Sequence, residues 1–313
     1  MDNLATVATQ VGVLFALMAV GAACRTAKLI DDRAVKGMVN ILMFVVTPCL
    51  VVDCFRRPFS PGQLKSLGAA FILAFAVHVC LVLAATAFFR RGGENSRKVL
   101  VFSAVFSNAG FMGIPLEQAV FGTDGVFYGI VYVVVFNIFV WSWGYCFMRG
   151  LSFGDSRGTI LKTVCFNPGT VGFAAGMAVF LSSGSLPQTL SVPLGMLAGL
   201  NTPLAMIVIG YYLAGSKIGC VLRCPGAYAA TFARLVLAPL LLVAALFAFR
   251  RSLDRTMMLA IVTAASAPVA AMTTMFAVKY ERDVDLSAGI VSATTLLSIV
   301  TMPVVIALAM EVL

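Results

Sequence analysis

The chain has 313 residues, of which 61% are hydrophobic and 11% are charged, and its mean hydropathy is +1.00. Soluble domains carry about 25% charged residues, so this composition excludes a soluble protein and indicates one that crosses a membrane several times. The formal net charge of +9 does not favour nucleic-acid binding, because the basic residues fall almost entirely in short loops between apolar runs.

The N-terminal residues 1–6 lack the basic region of a signal peptide, so the first apolar segment is expected to be a true membrane span. Further apolar segments follow, each close to the ~17–25 residues that a bilayer requires. The predicted spans are 5–24, 35–54, 64–89, 97–121, 125–147, 167–182, 189–214, 226–249, 255–278 and 284–310. They predict an all-α polytopic membrane protein with ten transmembrane helices.

The loops between these spans differ in their basic residues. If the N-terminus is outside, fifteen lysine and arginine residues fall in the loops on the cytoplasmic side and six in those on the external side. Cytoplasmic loops of membrane proteins are the richer in lysine and arginine. The bias therefore predicts that both termini are outside.

Two prolines, Pro48 and Pro203, lie deep within apolar spans and are 155 residues apart (203 − 48). A proline inside a helix removes a backbone hydrogen bond and kinks the helix. Hydrocarbon tolerates such a kink only where the freed carbonyls are buried in protein or line a cavity. We expect kinks at both prolines, a pattern typical of a secondary transporter whose site lies near the bilayer midplane.

The two halves of the chain align in order at nearly constant offsets. A Gly-Ile-Val run at 129–131 recurs at 289–291, an offset of 160. Each half holds five spans, an odd number, so the second half must enter the membrane from the opposite face. The sequence therefore predicts two inverted five-helix repeats, 1–147 and 167–313, joined by a cytoplasmic linker at 148–166.

The fourth span is the least helix-like segment. It reads Ser-Asn-Ala-Gly-Phe-Met-Gly-Ile-Pro at 107–115, so two glycines, a proline and an asparagine share one stretch. This pattern predicts a broken helix that includes Asn108, Gly110, Gly113 and Pro115. The N-terminus of a half-helix would offer an anion site there through its dipole and unsatisfied N–H donors. The alternative is a kinked packing helix with small residues at close contacts.

The ninth span has a matching pattern around Ser266 and Pro268, where proline again occurs with small and hydroxyl-bearing residues. We therefore expect the fourth and ninth helices both to be broken and to cross at mid-membrane, which would place a small anion among their half-helix ends. Asn137 and Asn201 are candidates for lining this cavity, because an amide that faces lipid is costly. Either amide could instead form an interhelical hydrogen bond.

Four ionisable residues within the spans are candidate proton or charge sites: Asp53, His78, Glu117 and Arg234. Asp53 is either a gate or proton site, or the partner of the two arginines that follow it in an interfacial ion pair. His78 could carry a proton near neutral pH, or it could simply be hydrogen-bonded in its helix. Arg234 could extend to the lipid headgroups, or it could be the counter-charge for a carboxylate substrate.

Three stretches of the chain carry a family resemblance. The second span contains ILMFVVTPCLVVDCF, the fourth contains FSNAGFMGIPLEQAVFG, and the seventh contains NTPLAMIVIGYYLAG. With these stretches the chain resembles the auxin efflux carrier family, a branch of the bile/arsenite/riboflavin transporter superfamily, over nearly its whole length. The resemblance implies ten spans in two inverted repeats, with the fourth and ninth helices broken and crossing at prolines best matched by Pro115 and Pro268.

The resemblance also implies how such a protein works. A transport domain built around the crossing would move against a scaffold in an elevator-like manner. Substrate would contact Asn108 beside the crossing, with Asn137 and Val51 lining the pocket. Bacterial members of the family are associated with carboxylates such as malate or malonate, and plant members with auxin. This chain lacks the long central hydrophilic insert of the plant carriers and an acidic residue in its third span, which argues against auxin.

The leading hypothesis is a secondary transporter for a small organic anion in a bacterial inner membrane, with a homodimer as one possible assembly. The alternative within transport is a sodium-coupled symporter of the related bile-acid type, for which Glu117, Gln118 and Asn108 are the candidate ligands in the fourth span. An intramembrane enzyme is disfavoured, because the sequence has neither HExxH nor a pair of intramembrane aspartates.

No cofactor, metal or nucleic-acid partner is expected, and the lipid bilayer is the predicted surrounding of the protein. Cys220 and Cys224 share a loop, but two thiols without a nearby histidine are a weak indication of a metal site.

Overall fold

The computed structural model describes residues 2–151, 157–183, 186–216 and 218–313, and every regular element within these ranges is helical. The helices are α1 (Asp2–Thr26), α2 (Asp32–Phe55), α3 (Pro61–Phe88), α4 (Glu94–Val105), α5 (Ala109–Arg149), α6 (Arg157–Cys165), α7 (Pro168–Leu181), α8 (Gln188–Ala214), α9 (Pro225–Phe247), α10 (Arg255–Ser266), α11 (Met272–Lys279) and α12 (Val284–Val312). The prediction of an all-α protein is confirmed.

Seven helices in the described ranges are long and apolar enough to cross a membrane: α1, α2, α3, α5, α8, α9 and α12. The apolar helices α7 and α10 are shorter, with 14 and 12 residues. This set of helices is that of a multi-pass membrane protein. The arrangement of ten spans in two inverted repeats stays a prediction.

Within the predicted linker, α6 follows residues 152–156, which lie outside the described part of the chain. Lys217, one of the fifteen basic residues assigned to the cytoplasmic loops, also lies outside it.

The predicted ninth span is divided into α10 and α11 by a short extended segment. Pro268 restricts the backbone of the residue before it to extended conformations, and Ala267 accordingly has φ −60° and ψ 149°. Proline also lacks the N–H that would continue the helix. The sequence therefore breaks this helix locally, next to Pro268 as expected.

The predicted fourth span is likewise divided, between α4 and the beginning of α5. Phe106 is extended, with φ −101° and ψ 115°, and Asn108 has φ −79° and ψ 50°. The chain then enters a wide π-helical turn, Ala109–Gly113, that leads into the rest of α5. Pro115 lies inside the continuing helix, seven residues after Asn108, so the prediction that this helix is broken at Pro115 is corrected to residues 106–108.

Helix α5 contains one sharp change of direction, at Gly122. This residue has φ 65° and ψ −153°, a backbone conformation that favours glycine because other residues carry a Cβ. We call the residues before Gly122 the first arm of α5 and those after it the second arm. The arms correspond to the end of the predicted fourth span and to the predicted fifth span.

Both prolines predicted to kink their helices lie at irregular points. Within α2, a π-helical stretch, Leu42–Val46, directly precedes the segment that contains Pro48. Pro203 follows the join at Leu200 between the two segments of α8. The two irregular points are linked, because the Thr47 hydroxyl donates to Oδ1 of Asn201 at 3.3 Å. The Asn201 amide therefore forms the interhelical contact that was one of its two predicted roles.

Helices α1, α2, α7 and α8 form one packed group. The closest approach is between α1 and α8, where Gly21 faces the backbone of Ile207 and Gly210 faces the backbone of Met18. A Cβ added at either glycine would overlap the facing main chain. Small residues allow membrane helices to approach in this way, so α1 and α8 are held against each other at backbone distance.

Helices α3, α4, α5, α9, α10, α11 and α12 form a second group, in which α5 packs on α3 and α10. The groups meet where α1 packs on α12 and α7 packs on α5. The hydrophobic cluster at this boundary includes Met112 and Ala267, both close in sequence to the two breaks. The broken segments therefore lie in the second group, next to its contact with the first.

The loops at one end of the molecule are joined by polar contacts. Arg282 donates to Oδ1 of Asn95 and to the carbonyl of Met148, both at 2.8 Å, and Ser96 donates to Oδ2 of Asp283 at 2.7 Å. These contacts join the three loops near residues 95, 148 and 282 at one end of the molecule. The basic residues of all three loops predict that this end is cytoplasmic.

Candidate functional site

The two chain breaks pair with each other through their backbones. The N–H of Asn108 donates to the carbonyl of Pro268 at 2.6 Å, and the N–H of Ala270 donates to the carbonyl of Phe106 at 2.9 Å. Ser107 and Val269 face each other between these bonds as an antiparallel bridge. This pairing satisfies backbone groups that a broken helix would otherwise leave open. The two interrupted helices therefore cross, as the sequence predicted, and we call residues 106–108 and 267–270 the crossing.

Helix ends of both polarities meet at the crossing. Helices α4 and α10 end there at Val105 and Ser266, and α5 and α11 begin there at Ala109 and Met272. The last carbonyls of a helix carry partial negative charge, and its first N–H groups carry partial positive charge and lack intrahelical partners. Two of the four helix ends at the crossing are thus electropositive, and at the start of α11 the N–H groups of Thr273 and Thr274 already bind the carbonyls of Ala270 and Ala271.

The two negative ends are occupied by one side chain. Arg234, fully buried in a π-helical stretch of α9, donates from Nη1 to the carbonyl of Val105 at 3.0 Å and from Nη2 to the carbonyl of Ala265. A cation at helix C-termini complements their dipoles. The side chain therefore does not extend to the lipid headgroups, and two of its three nitrogens already bind backbone.

Asn108 lies at the start of α5 with a buried side chain. Its carbonyl accepts from the N–H groups of Met112 and Gly113, and its own N–H is used in the crossing. The side-chain amide makes no hydrogen bond to another residue of the described ranges. That amide is therefore available as a donor beside the first N–H groups of α5.

Gly110 and Asn137 lie on facing surfaces of the two arms of α5. A Cβ at Gly110 would lie 4.0 Å from Cγ1 of Val133, and Nδ2 of Asn137 donates to the carbonyl of Val133 at 2.9 Å. Asn137 also lies beside α7, because a Cβ at Gly169 would be 3.2 Å from its Nδ2. Gly110, two residues after Asn108, therefore faces the second arm one helical turn before Asn137.

Val51 and Ser266 are placed less favourably for contact with a solute. Val51 is buried in a hydrophobic cluster that also contains Ala109. Ser266 is fully buried at the end of α10, and its hydroxyl donates to the carbonyl of Thr263 at 2.9 Å. Ser266 thus lies at an electronegative helix end with its donor already used.

Gly113 and Pro115 have packing positions next to the crossing. A Cβ at Gly113 would lie 3.4 Å from Cα of Ala264, so glycine lets α5 approach α10 closely. Pro115 is the second residue of the regular helix that follows the π-helical turn. The wider π-helical turn directly before it relieves the clash that a proline ring makes with the preceding turn of an α-helix, which fits a helix that continues through it.

His78 lies behind the crossing, fully buried in α3. Its Nδ1 is 2.8 Å from the carbonyl of Ala74, which is the intrahelical bond predicted as one of its two roles. Its ring packs against Tyr132, with ring centroids 4.9 Å apart, and against Phe106, with centroids 6.3 Å apart. The Tyr132 hydroxyl in turn accepts a hydrogen bond of 3.5 Å from Ser107. His78 therefore supports the crossing through Tyr132 and Phe106.

Asp53 lies at the end of α2 and forms an ion pair of 3.5 Å with Arg56. Both side chains are partly exposed, so the pair is of the interfacial kind. The neighbouring Arg57 binds Asp124 at 2.6 Å. These four residues line a cavity of about 640 Å³ between the α2–α3 loop and the turn of α5.

Several residues of the site were not identified from the sequence. Thr294 of α12 accepts the N–H of Val269 at 3.2 Å, and Tyr132 lies between Ser107 and His78. The adjacent hydroxyls Thr294-Thr295 in an apolar span were the available signal for the first. Arg57 was noted only as a neighbour of Asp53, although its partner Asp124 lies 67 residues away.

Metal ligands do not cluster in the described residues, where no group of three or more His, Cys, Asp and Glu side chains could hold an ion. The side chain of Cys220, one of the two loop thiols, lies outside the part of the chain whose side chains are described.

Comparison with known proteins agrees with this architecture. The model of a family described as "Membrane transport protein" matches residues 6–154 and 155–306. An uncharacterized transporter from Methanothermobacter thermautotrophicus is 29% identical over 224 residues, which cover 68% of this chain and 69% of that protein. The chain therefore belongs to the membrane transport protein family, the family of the auxin efflux carriers.

Proposed function

We propose that this protein is a secondary carrier that moves a small organic anion, a carboxylate such as malate or malonate, by alternating access. The observation that carries the proposal is the crossing, where two broken helices are joined by their backbones and their electropositive ends begin beside Asn108. Broken helices whose N-termini point at an anionic group are the binding element of several secondary transporters.

The charge of the site fits a small anion. The donors near Asn108 are an amide side chain and the first N–H groups of α5, which complement a carboxylate without a full positive charge. The single arginine at the crossing, Arg234, already binds two backbone carbonyls. A site of this kind suits a solute that must bind and leave in each cycle.

The packing fits an elevator-type movement. In this proposal α1, α2, α7 and α8 are the scaffold, because their glycine contacts hold α1 against α8 at backbone distance. The other group carries the crossing and moves against them.

The proposal includes two inverted repeats, 1–147 and 167–313, joined by the linker 148–166. It also includes a bacterial inner membrane, both termini outside, and a homodimer as one possible assembly.

The test is flux of radiolabelled malate and malonate into proteoliposomes that contain the purified protein. We expect uptake by the wild type and loss of both uptake and ligand-induced thermal stabilisation in Asn108→Ala, because a ligand that binds only the native state raises its melting temperature. Asn40→Ala changes an exposed asparagine of α2 and should behave as the wild type. Absence of flux for every mono- and dicarboxylate tested with folded protein would refute the substrate class.

A further inference from the structure

Glu117, in the first arm of α5, is a fully buried carboxyl group without a partner in the part of the chain that the structure describes. Its side chain has no exposed surface, and neither oxygen accepts or donates a hydrogen bond within the described residues. The ion pairs of the described residues do not include it either. Buried polar groups in proteins are nearly always satisfied, so this carboxyl group calls for an explanation.

The space around the carboxyl group is shaped by two glycines of the second arm. A Cβ at Gly129 would overlap the carboxyl oxygens of Glu117, and a Cβ at Gly125 would lie 2.9 Å from the carbonyl oxygen of Glu117. The turn at Gly122 brings the arms together, and the missing side chain at Gly129 leaves room for the carboxyl group. The Glu117 side chain therefore fits between the two arms because residue 129 is a glycine.

No ion pair among the described residues balances an ionised carboxylate at Glu117. Titratable or charged groups on the elements around this arm include Asp53 and Cys54 of α2, Arg57 in the loop that follows it, Lys65 and His78 of α3, Asp124 in the turn, and Asp254 and Arg255 at the start of α10. None of them is ion-paired or hydrogen-bonded to Glu117. An unpaired charge in such a place is strongly destabilising, whereas a protonated carboxyl group carries no charge.

A polar cavity is lined by a helix that packs on α5. This helix is α2, which contains Cys54. Cys54 also lines the cavity of about 640 Å³ that contains Asp53, Arg57 and Asp124. The elements that enclose Glu117 therefore also border a polar cavity at the end of the molecule.

We propose that Glu117 is the proton-binding site of the carrier and that one proton accompanies each anion. This inference rests on the proposed transport of an organic anion. In the buried state the carboxyl group holds its proton through an O–H bond. When the first arm moves so that Glu117 meets water, that bond breaks, the proton leaves to water and a carboxylate remains. The carboxylate takes up a proton from water again before it is buried.

A metal cation at this position fits the contacts less well. Hard cations such as Ca²⁺ and Mg²⁺ gather about six oxygen ligands in proteins. Within the described residues, neither carboxyl oxygen of Glu117 has a hydrogen-bond partner, and no group of three or more His, Cys, Asp and Glu side chains could hold a metal ion. The observations therefore favour a proton over a sodium ion.

The experiment compares two modes of malonate transport in proteoliposomes, with Glu117→Gln as the test variant. Glutamine has the shape of the protonated side chain but cannot release a proton. We expect wild-type net uptake to be driven by an inward proton gradient. The variant should lose this gradient-driven uptake and retain exchange of malonate at equal pH. Glu311→Gln, which changes an exposed carboxyl group at the end of α12, should keep both modes.

Infrared spectroscopy gives a second readout that needs neither flux nor a stable variant. The wild type should show the carbonyl stretch of a protonated carboxyl group at neutral pH, and Glu117→Gln, where it folds, should lack it. Absence of this band from the wild type overturns the inference even if malonate is transported. Wild-type uptake that does not depend on the proton gradient also overturns the inference. Uptake that is driven by sodium and lost in Glu117→Gln overturns it as well. Absence of flux for every acid, with the band present, refutes the substrate class and leaves the protonated site standing.

Discussion

Nη1 of Arg234 donates a hydrogen bond of 3.0 Å to the carbonyl oxygen of Val105, the last residue of α4, while Nη2 binds the carbonyl of Ala265 near the end of α10. One side chain of α9 thereby ties together the C-terminal ends of both interrupted helices. The last carbonyls of a helix lack N–H partners and carry partial negative charge, so the guanidinium group complements both helix C-termini.

Replacing Arg234 should loosen the crossing. Arg234→Met removes donors from two buried carbonyls, and each buried group left unsatisfied costs about 1–3 kcal/mol. We expect a fall of about 2–5 kcal/mol in the free energy of unfolding, measured as thermal or denaturant unfolding in detergent. Arg223→Met, at an exposed position before α9, should change stability by less than about 0.5 kcal/mol. Equal stability of the two variants would contradict the role given to Arg234.

Gly129 should not tolerate a methyl group while Glu117 is present. Gly129→Ala would place a Cβ on the carboxyl oxygens of Glu117, which has no exposed surface and so little room to move. Overpacking of this kind costs about 1–3 kcal/mol. Glu117→Ala should relieve the overlap, so the double variant should lose less stability than the sum of the single variants. Simple additivity in this cycle would argue against the contact.

The contact between α1 and α8 should be equally sensitive to added volume. Gly21→Ala and Gly210→Ala each drive a Cβ into the facing backbone, and we expect losses of about 1–3 kcal/mol in unfolding experiments. Gly68→Ala in α3 is the matched control, because nothing lies within 4 Å of the added Cβ. Alanine there should be neutral or should stabilise by up to about 1 kcal/mol.

The two prolines of the broken helices should differ in importance. Pro268 lies in the crossing and holds Ala267 extended, whereas Pro115 lies in a continuous helix. Pro268→Ala should let α10 and α11 join, and it should lower malonate flux by about tenfold or more, as misplacement of a binding group does. Pro115→Ala should have a smaller effect in the same assay. The reverse order of the two effects would place the functional break at Pro115 after all.

One pair at the loop-bearing end should make stability depend on pH. The hydrogen bond and charge of Lys98 lower the pKa of the exposed Glu94 carboxyl, whose Oε1 is 2.7 Å from Nζ. Because the pKa is lower in the folded state, the pair stabilises the protein above the ordinary carboxyl pKa of about 4.3. Its contribution is lost as the pH falls through the lowered folded value.

Glu94→Gln should therefore lower the melting temperature slightly at neutral pH, and the difference from the wild type should vanish at acid pH. Melting curves across this range measure it. Glu281→Gln, an exposed residue near the same end, should show no such convergence. A difference that persists at acid pH would point to a contribution other than the charge pair.

The sequence predicted the parts of the site that depend on local chemistry. The break next to Pro268 follows from the effect of proline on its neighbour, and the gap between the predicted spans 97–121 and 125–147 contains the turn found at Gly122. The break at 106–108 was misplaced to Pro115, because its cause is not local. Phe106 is extended and Asn108 is non-helical, and both are held by hydrogen bonds to residues more than 150 positions away.

The partners of charged residues were beyond sequence reasoning for the same reason. Arg234 was assigned either to the headgroups or to a substrate, yet it binds carbonyls 129 and 31 residues away. The buried state of Glu117 depends on Gly129, which is recognisable only once the two arms of α5 are folded together. Their charge within apolar spans identified Arg234 and Glu117 as candidates. Their contacts depend on how the helices pack, which the sequence does not show.

The join between the two interrupted helices consists of main-chain atoms of Phe106, Asn108, Pro268 and Ala270. Every amino acid supplies a carbonyl, and every one except proline supplies an N–H. Apart from Pro268, the residues at this junction can therefore change their side chains over evolution without losing these hydrogen bonds. Proteins that share this junction can therefore differ in substrate specificity and still keep the same fold.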